Sequence, residues 1–169
     1  MSPLLRTTKV LTNGSVMFGG SSLRIVYSDN PADRLVPDFL KGEISVQASE
    51  RKRIRELIRR WFLRESSAYV VKKVRELAPA IGVRPTRVDV REIGKWGYCT
   101  RNGRLSFSWQ LIALPERLRE YVVVHELVHL LEFNHSRAFR ERVADYCPDF
   151  LMREKELDAI VPYDRLAWE

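Results

Sequence analysis

The segment His125-Glu126-Leu127-Val128-His129 sets two imidazoles four residues apart, with a carboxylate directly after the first. In a helix, residues four apart are offset by only about 40° and rise about 6 Å, so both rings leave one face and can share an ion. Glu126 then points to the side of that ion, where it can take a proton from a water rather than act as a ligand. The chain contains three histidines, and the third, His135, follows His129 by six residues. In a continued helix it would sit about 9 Å further along and about 240° around, pointing away from the others. The helix must therefore end between Leu131 and Asn134. Asn134 is a residue type that adopts the left-handed conformation ending a helix, and Ser136 is a good N-cap for the next one, which should end before Pro148.

Three protein ligands and one open position are the usual arrangement of a catalytic zinc, whereas structural sites close the fourth position, most often with cysteine. The sequence predicts one Zn2+ per chain held by His125, His129 and His135. Glu126 is the general base for metal-activated water and the donor of that proton to a leaving amine. A closed site with Cys147, twelve residues past His135, is the alternative. Imidazole also binds other first-row ions, so zinc is an expectation from ligand type.

The flanking sequence indicates the elements that must position these side chains. An apolar run, Tyr121-Val122-Val123-Val124, leads into the histidines, and Pro115 suits the first position of that helical turn. A long helix should begin near Ser49 as N-cap and stop at Pro79 and Gly82. Its apolar positions are Ile54, Leu57, Ile58, Trp61, Ala68, Val71, Val74, Leu77 and Ala78, with a break expected around Ser66-Ser67. Alternation over 87–93 predicts a strand, and Arg101-Asn102-Gly103 a hairpin turn joining a strand through Tyr98 to another at Arg104–Ser108. The stretch 149–160 reads as helical. Ahead of the long helix, turn chemistry at Thr12-Asn13-Gly14, Gly19-Gly20-Ser21-Ser22 and Asp29-Asn30-Pro31 separates short strands at 4–11, 15–18, 23–27 and 43–46. The expected division is a small N-terminal β module over 1–47 and a hydrolase domain over 48–169.

Composition narrows the classes. No stretch approaches the eighteen or so apolar residues a membrane span needs, the N-terminus lacks a secretory apolar core, and Cys99 and Cys147 form no framework. A cytoplasmic protein with no membrane partner is expected. The net charge of +7 is concentrated between Arg51 and Arg75, where ten Lys or Arg face only Glu56 and Glu65. That stripe could dock nucleic acid or another polyanion, or be the solvated face of a long helix.

Residues 121–136 (YVVVHELVHLLEFNHS), Trp96-Gly97-Tyr98-Cys99-Thr100, the stretch 105–111 (LSFSWQL), Phe139 and Pro148-Asp149 together resemble the YgjP-like metallopeptidase family, related to the WLM and SprT-like zincins. The likeness covers about residues 84–150, and the helix over 49–80 more loosely. It implies an α+β fold with a zincin-like core: a long helix, a small antiparallel sheet, the HExxH zinc helix and a third-ligand helix. It implies the same ligands, His125, His129 and His135, with Glu126 as catalyst, in an intracellular metal-dependent hydrolase. The ligand spacing also equals that of metzincins, with Glu132 in place of their glycine and Met152 as a candidate for their methionine turn.

In zincins an extended peptide pairs with a strand beside the zinc helix, and Arg104–Ser108 is the expected substrate edge. Tyr98 or another tyrosine is the candidate oxyanion stabiliser, while Trp96, Cys99 and Trp109 read as packing residues. Two rival functions follow from the basic residues. One is a metal-dependent nucleotide or phosphoanhydride hydrolase. The other is a nucleic-acid-associated protein, or a SprT-like protease, docking through residues 51–75.

Overall fold

The structure, a computed structural model, describes residues 14–29, 32–48 and 50–160. The expected strand at 4–11, the turn residues Thr12, Asn13, Asn30 and Pro31, and the Ser49 cap lie outside the described residues. The fold is α+β, with four helices and two small sheets. Strands β1 (Ser15–Phe18), β2 (Ser21–Asp29), β3 (Arg34–Asp38) and β4 (Glu43–Ala48) precede the long helix α1 (Arg51–Ile81). Then come β5 (Arg87–Arg91), β6 (Gly97–Cys99), β7 (Arg104–Ser108), a 3-10 turn over Trp109–Ala113, and helices α2 (Glu116–Val128), α3 (Arg137–Tyr146) and α4 (Phe150–Asp158). Among the described residues no helix is long and apolar enough to cross a membrane.

Both sheets are mixed, where a small antiparallel sheet was expected. The first has the order β1-β2-β4-β3, with β2 and β4 parallel. The second has the order β5-β7-β6, with β5 and β7 parallel and β6 antiparallel to β7. Strand β3 goes unpredicted because Pro37 interrupts its apolar alternation; it pairs only with β4, on the sheet edge where a missing N–H is tolerated.

Helix α1 joins the two halves of the core. Ile58, Trp61 and Phe62 pack with Val16, Leu23, Ile44 and Val46 of the first sheet and with Trp109 and Ile112 of the 3-10 turn. Two turns later Val70, Val74 and Ala78 pack with Leu105 and Phe107 of β7 and with Leu118, Val122 and Leu127 of α2. The buried stripe thus runs through positions 62, 66, 70, 74 and 78, and the expected Ala68 and Val71 face outward. No break occurs at Ser66-Ser67. Ser67 donates to the Leu63 carbonyl one turn back, and fully buried Ser66 continues the stripe. The Ser66 Oγ donates to the Trp109 carbonyl at 2.7 Å and accepts from the Ile112 N–H at 3.1 Å.

At its start Glu50 is the N-cap residue of α1, and its side chain makes no capping hydrogen bond to the first turn. At its end Pro79 lies within the last turn, and Gly82 stops the helix with φ 80°, its N–H returning to the Ala78 and Pro79 carbonyls. Pro115 is the N-cap of α2, one position earlier than expected.

Ser66→Ala would leave one buried carbonyl and one buried N–H of the 3-10 turn without this partner. A loss of about 2 kcal/mol in unfolding free energy is expected, read by urea denaturation; an unchanged midpoint would remove Ser66 as the tie between α1 and that turn.

Candidate metal centre

Helix α2 carries the first two histidines through the middle of the protein. Tyr121, Val122, Val123, Val124, Glu126, Leu127 and Val128 are all buried, so α2 is covered nearly all round. That burial overrides the modest helix propensity of three consecutive valines. Leu118, Val122, Val123 and Leu127 face α1 and β7, while Tyr121, Val124 and Val128 face Phe139, Val143 and Cys147.

The α-helix ends at Val128, with His129 as its C-cap. The chain then tightens: Leu130 donates to Leu127 and Leu131 to Val128, three residues back. Asn134 does not take the left-handed conformation expected of it; Asp33 is the one described non-glycine residue with positive φ. The turn is held instead by the His129 ring, whose Nδ1 lies 2.9 Å from the Glu132 carbonyl, and by Glu132 facing Arg142 of α3 at 3.8 Å. Ser136 accepts from the Phe139 N–H and caps α3, as expected.

This path returns His135 to the other two rings. The Nε2 atoms of His129 and His135 each lie 3.1 Å from the Nε2 of His125. A carbonyl can only accept, so the His129 Nδ1 carries the proton and its Nε2 presents a lone pair to the cluster. The His125 Nδ1 meets the Tyr121 hydroxyl at 3.3 Å; with the hydroxyl accepting from Nδ1–H, the His125 Nε2 also presents a lone pair to the cluster. Nitrogens held about 2.05 Å from a tetrahedral ion would be separated by about 3.3 Å, close to the spacing found. The three residues can hold one divalent ion, and they form the one such group among the described residues. Cys147 is not part of it; the thiol is buried against α2 and α3, where burial raises its pKa to about 11. Met152 is exposed on α4, not beneath the rings.

Burial depresses the pKa of His125 to about 3, with the neighbouring imidazoles adding to the effect, and burial lowers that of His129 as well. Burial thus disfavours the charged imidazolium form of both rings. Glu126 is only 6% exposed, and its Oε2 has no hydrogen-bond partner. Burial raises its pKa to about 8 against the opposing pull of Lys95. The carboxyl lies against Gly97 so closely that a Cβ there would sit 2.8 Å from its Cγ and 2.9 Å from its Oε1. A cleft of about 300 Å³ opens beside the rings, lined among others by Trp96, Gly97, His125, Glu126 and His135.

Three residues named in the sequence reading have roles at the site that it did not assign. The Phe139 ring packs under all three imidazoles, with centroids 4.9 Å from His125, 4.6 Å from His129 and 4.9 Å from His135. Tyr121 orients His125, and Gly97 leaves room for Glu126. The first two stand four residues from a ligand in sequence, a helical-neighbour signal that could have found them. Gly97, on β6, lies in a segment that carries the family resemblance, but its closeness to Glu126 is a long-range contact that the segment does not signal.

The expected substrate edge is corrected. Strand β7, Arg104–Ser108, is the central strand of its sheet, paired with β5 on one side and β6 on the other. The exposed ladder beside α2 belongs to β6. Trp96 and Thr100 bond to β7, so by the alternation of antiparallel pairs the backbone groups of Gly97 and Cys99 face outward. Tyr98 projects from the opposite face to Gly97, under the Arg91 guanidinium, and is removed as a candidate oxyanion stabiliser.

A model of the family described as YgjP-like, metallopeptidase domain matches residues 5–160. No curated protein and no solved structure matches the chain.

The raised Glu126 pKa has a consequence for the metal-free protein. Below about pH 4.5 both folded and unfolded states hold this proton; above that the unfolded state loses it first, so the contribution to stability falls until pH passes about 8. The depressed His125 acts at the other end, where stability is lost as pH falls from about 6.5 towards 3. Chelator-treated protein should lose about 2 kcal/mol between pH 6.5 and 8 in denaturant melts, and Glu126→Gln should abolish most of that slope. Equal slopes for the two proteins would contradict the burial of an unpartnered carboxyl.

Proposed function

The chain belongs to the YgjP-like metallopeptidase family, and from that premise we propose that it hydrolyses peptide bonds, with one zinc ion held by His125, His129 and His135 and Glu126 as general base. The observation carrying this reading is the meeting of three imidazole Nε2 atoms beside a buried, unpartnered carboxylate in one cleft. We read the arrangement of α1, the second sheet, α2 and α3 as a zincin-like core.

A bound zinc ion would supply a Lewis acid that brings the pKa of a water to about 7 and polarises the scissile carbonyl. The protein's own groups do the rest. The Glu132 carbonyl and the Tyr121 hydroxyl fix the orientation of His129 and His125, and Phe139 holds the three rings from below. Glu126 takes a proton from the attacking water and keeps it within a largely buried pocket. An extended substrate would pair with the outward-facing backbone of Gly97 and Cys99 on β6, which sets the scissile bond next to Glu126.

The described lining of the cleft does not favour the phosphoanhydride alternative, because it includes Glu126, Glu154 and Asp158 and, among the described residues, no Lys or Arg. The basic stripe of α1 supports the reading of a solvated face. Arg53 is paired with Asp33, Arg59 with Glu92, Arg64 with Glu65, and Lys73 with Glu120.

Glu126→Gln should retain one zinc per chain by elemental analysis, while hydrolysis of an unfolded protein such as casein falls by about 10²–10⁴-fold. Wild-type activity in that variant, or turnover of nucleoside triphosphates but no peptide, would overturn the proposal.

A further inference from the structure

We infer that the cleft beside the histidines receives a positively charged side chain of the substrate, Lys or Arg, held by Glu154 and Asp158. The inference rests on the peptidase reading above and names its substrate class. Glu154, Leu157 and Asp158 are spaced so that they share one face of α4, and all three line the cleft that His125, Glu126 and His135 line. Trp96, Val122 and Leu157 supply apolar wall to the same cleft. A long basic side chain has the matching form, an apolar stem with a charged head.

The charges around α4 sharpen the point. Glu156 pairs with Arg117, and Asp149 pairs with Arg153, yet Glu154 and Asp158 have no ion pair or hydrogen bond among the described residues. In a chain of net charge +7, two carboxylates over the same cleft have no cationic partner among the described residues. A separate observation points the same way: Glu126, only 6% exposed, reaches into that cleft with an Oε2 that has no donor. Lys95 acts on Glu126 but is not part of the lining. An acidic side chain entering here would meet the like charge of Glu154 and Asp158, so these two groups both favour a cation and reject an anion.

The test uses the full-length, zinc-loaded Glu126→Gln protein and fluorescein-labelled, alanine-rich hexapeptides that differ by a single Arg, Gln or Glu, scanned through each position. At the best position the Arg peptide should bind about tenfold tighter than the Glu peptide by fluorescence anisotropy. Adding E154Q and D158N should remove most of that difference, and adding E154K and D158K should reverse it. Arg-peptide binding to the Glu126→Gln protein should also weaken steeply as salt rises, a measurement that needs no further substitution. Equal binding of Arg and Glu peptides, or a preference indifferent to E154Q/D158N and to salt, would overturn the inference. The peptidase reading fails separately: wild-type zinc protein that leaves uncut a peptide bound with Arg preference would sink that reading and leave the cationic subsite standing. Cleavage of Arg and Glu peptides with equal kcat/KM would do the reverse.

Discussion

Six residues separate His129 from His135, and a helix continued over that distance would turn the third imidazole away from the other two. The site therefore depends on where α2 stops. His129 serves at that point as ligand candidate and as part of the stop, because its Nδ1 proton is engaged by the Glu132 carbonyl three residues on. The bond that closes the turn also leaves the lone pair on Nε2, facing the Nε2 of His125. Chain reversal and ring tautomer are set by the same contact. Replacing His129 would remove a donor nitrogen and loosen the turn that delivers another.

Burial does comparable double work around Glu126. A carboxyl this deep, with one oxygen unpartnered, is unfavourable in its charged form, and the fold accepts that cost because α2 is covered on nearly every side. The coverage comes from the apolar residues that hold the helix between α1, β7 and α3. Gly97 completes the arrangement by omission, since any side chain there would occupy the volume of the Glu126 carboxyl. The packing that stabilises the helix thus also raises the proton affinity of the group beside the three rings.

How much of this could be read from the residues alone depended on the range of the interaction. The histidine spacing, the Ser136 cap and the hairpin at Arg101-Asn102-Gly103 are local, and each lies where periodicity and turn chemistry put it. The helix stop was required by geometry but misattributed: Asn134 is a plausible left-handed residue, whereas the actual device is a ring-to-carbonyl contact with no composition signal. In α1 the sequence suggested Ala68 and Val71 as buried and a break at the serines, because a buried serine looks like a defect in an apolar stripe. Its partners, Trp109 and Ile112, are more than forty residues away. Strand order was equally hidden: the Arg101-Asn102-Gly103 turn marks Arg104–Ser108 as one arm of a hairpin but cannot say that β5 pairs on its other side.

The four-stranded N-terminal sheet, which offers no chemistry of its own, bears on the site through the entry to α2. The β1–β2 turn donates from Gly19 to the Ile112 carbonyl and from Gly20 to the Ala113 carbonyl. Gly20, at φ 86°, passes so close to Pro115 that a Cβ would come within 2.8 Å of its ring. Ser66 holds the same 3-10 turn from the α1 side. Pro115 is where α2 starts, and the two histidines lie ten and fourteen residues further along that helix. A rigid helix transmits displacement of its first turn to its last, so the positions of His125 and His129 are referred through α2 to a seam between the first sheet and α1. The metal-centre geometry is accordingly a property of both halves of the core, joined along α1, and not of the HExxH segment alone.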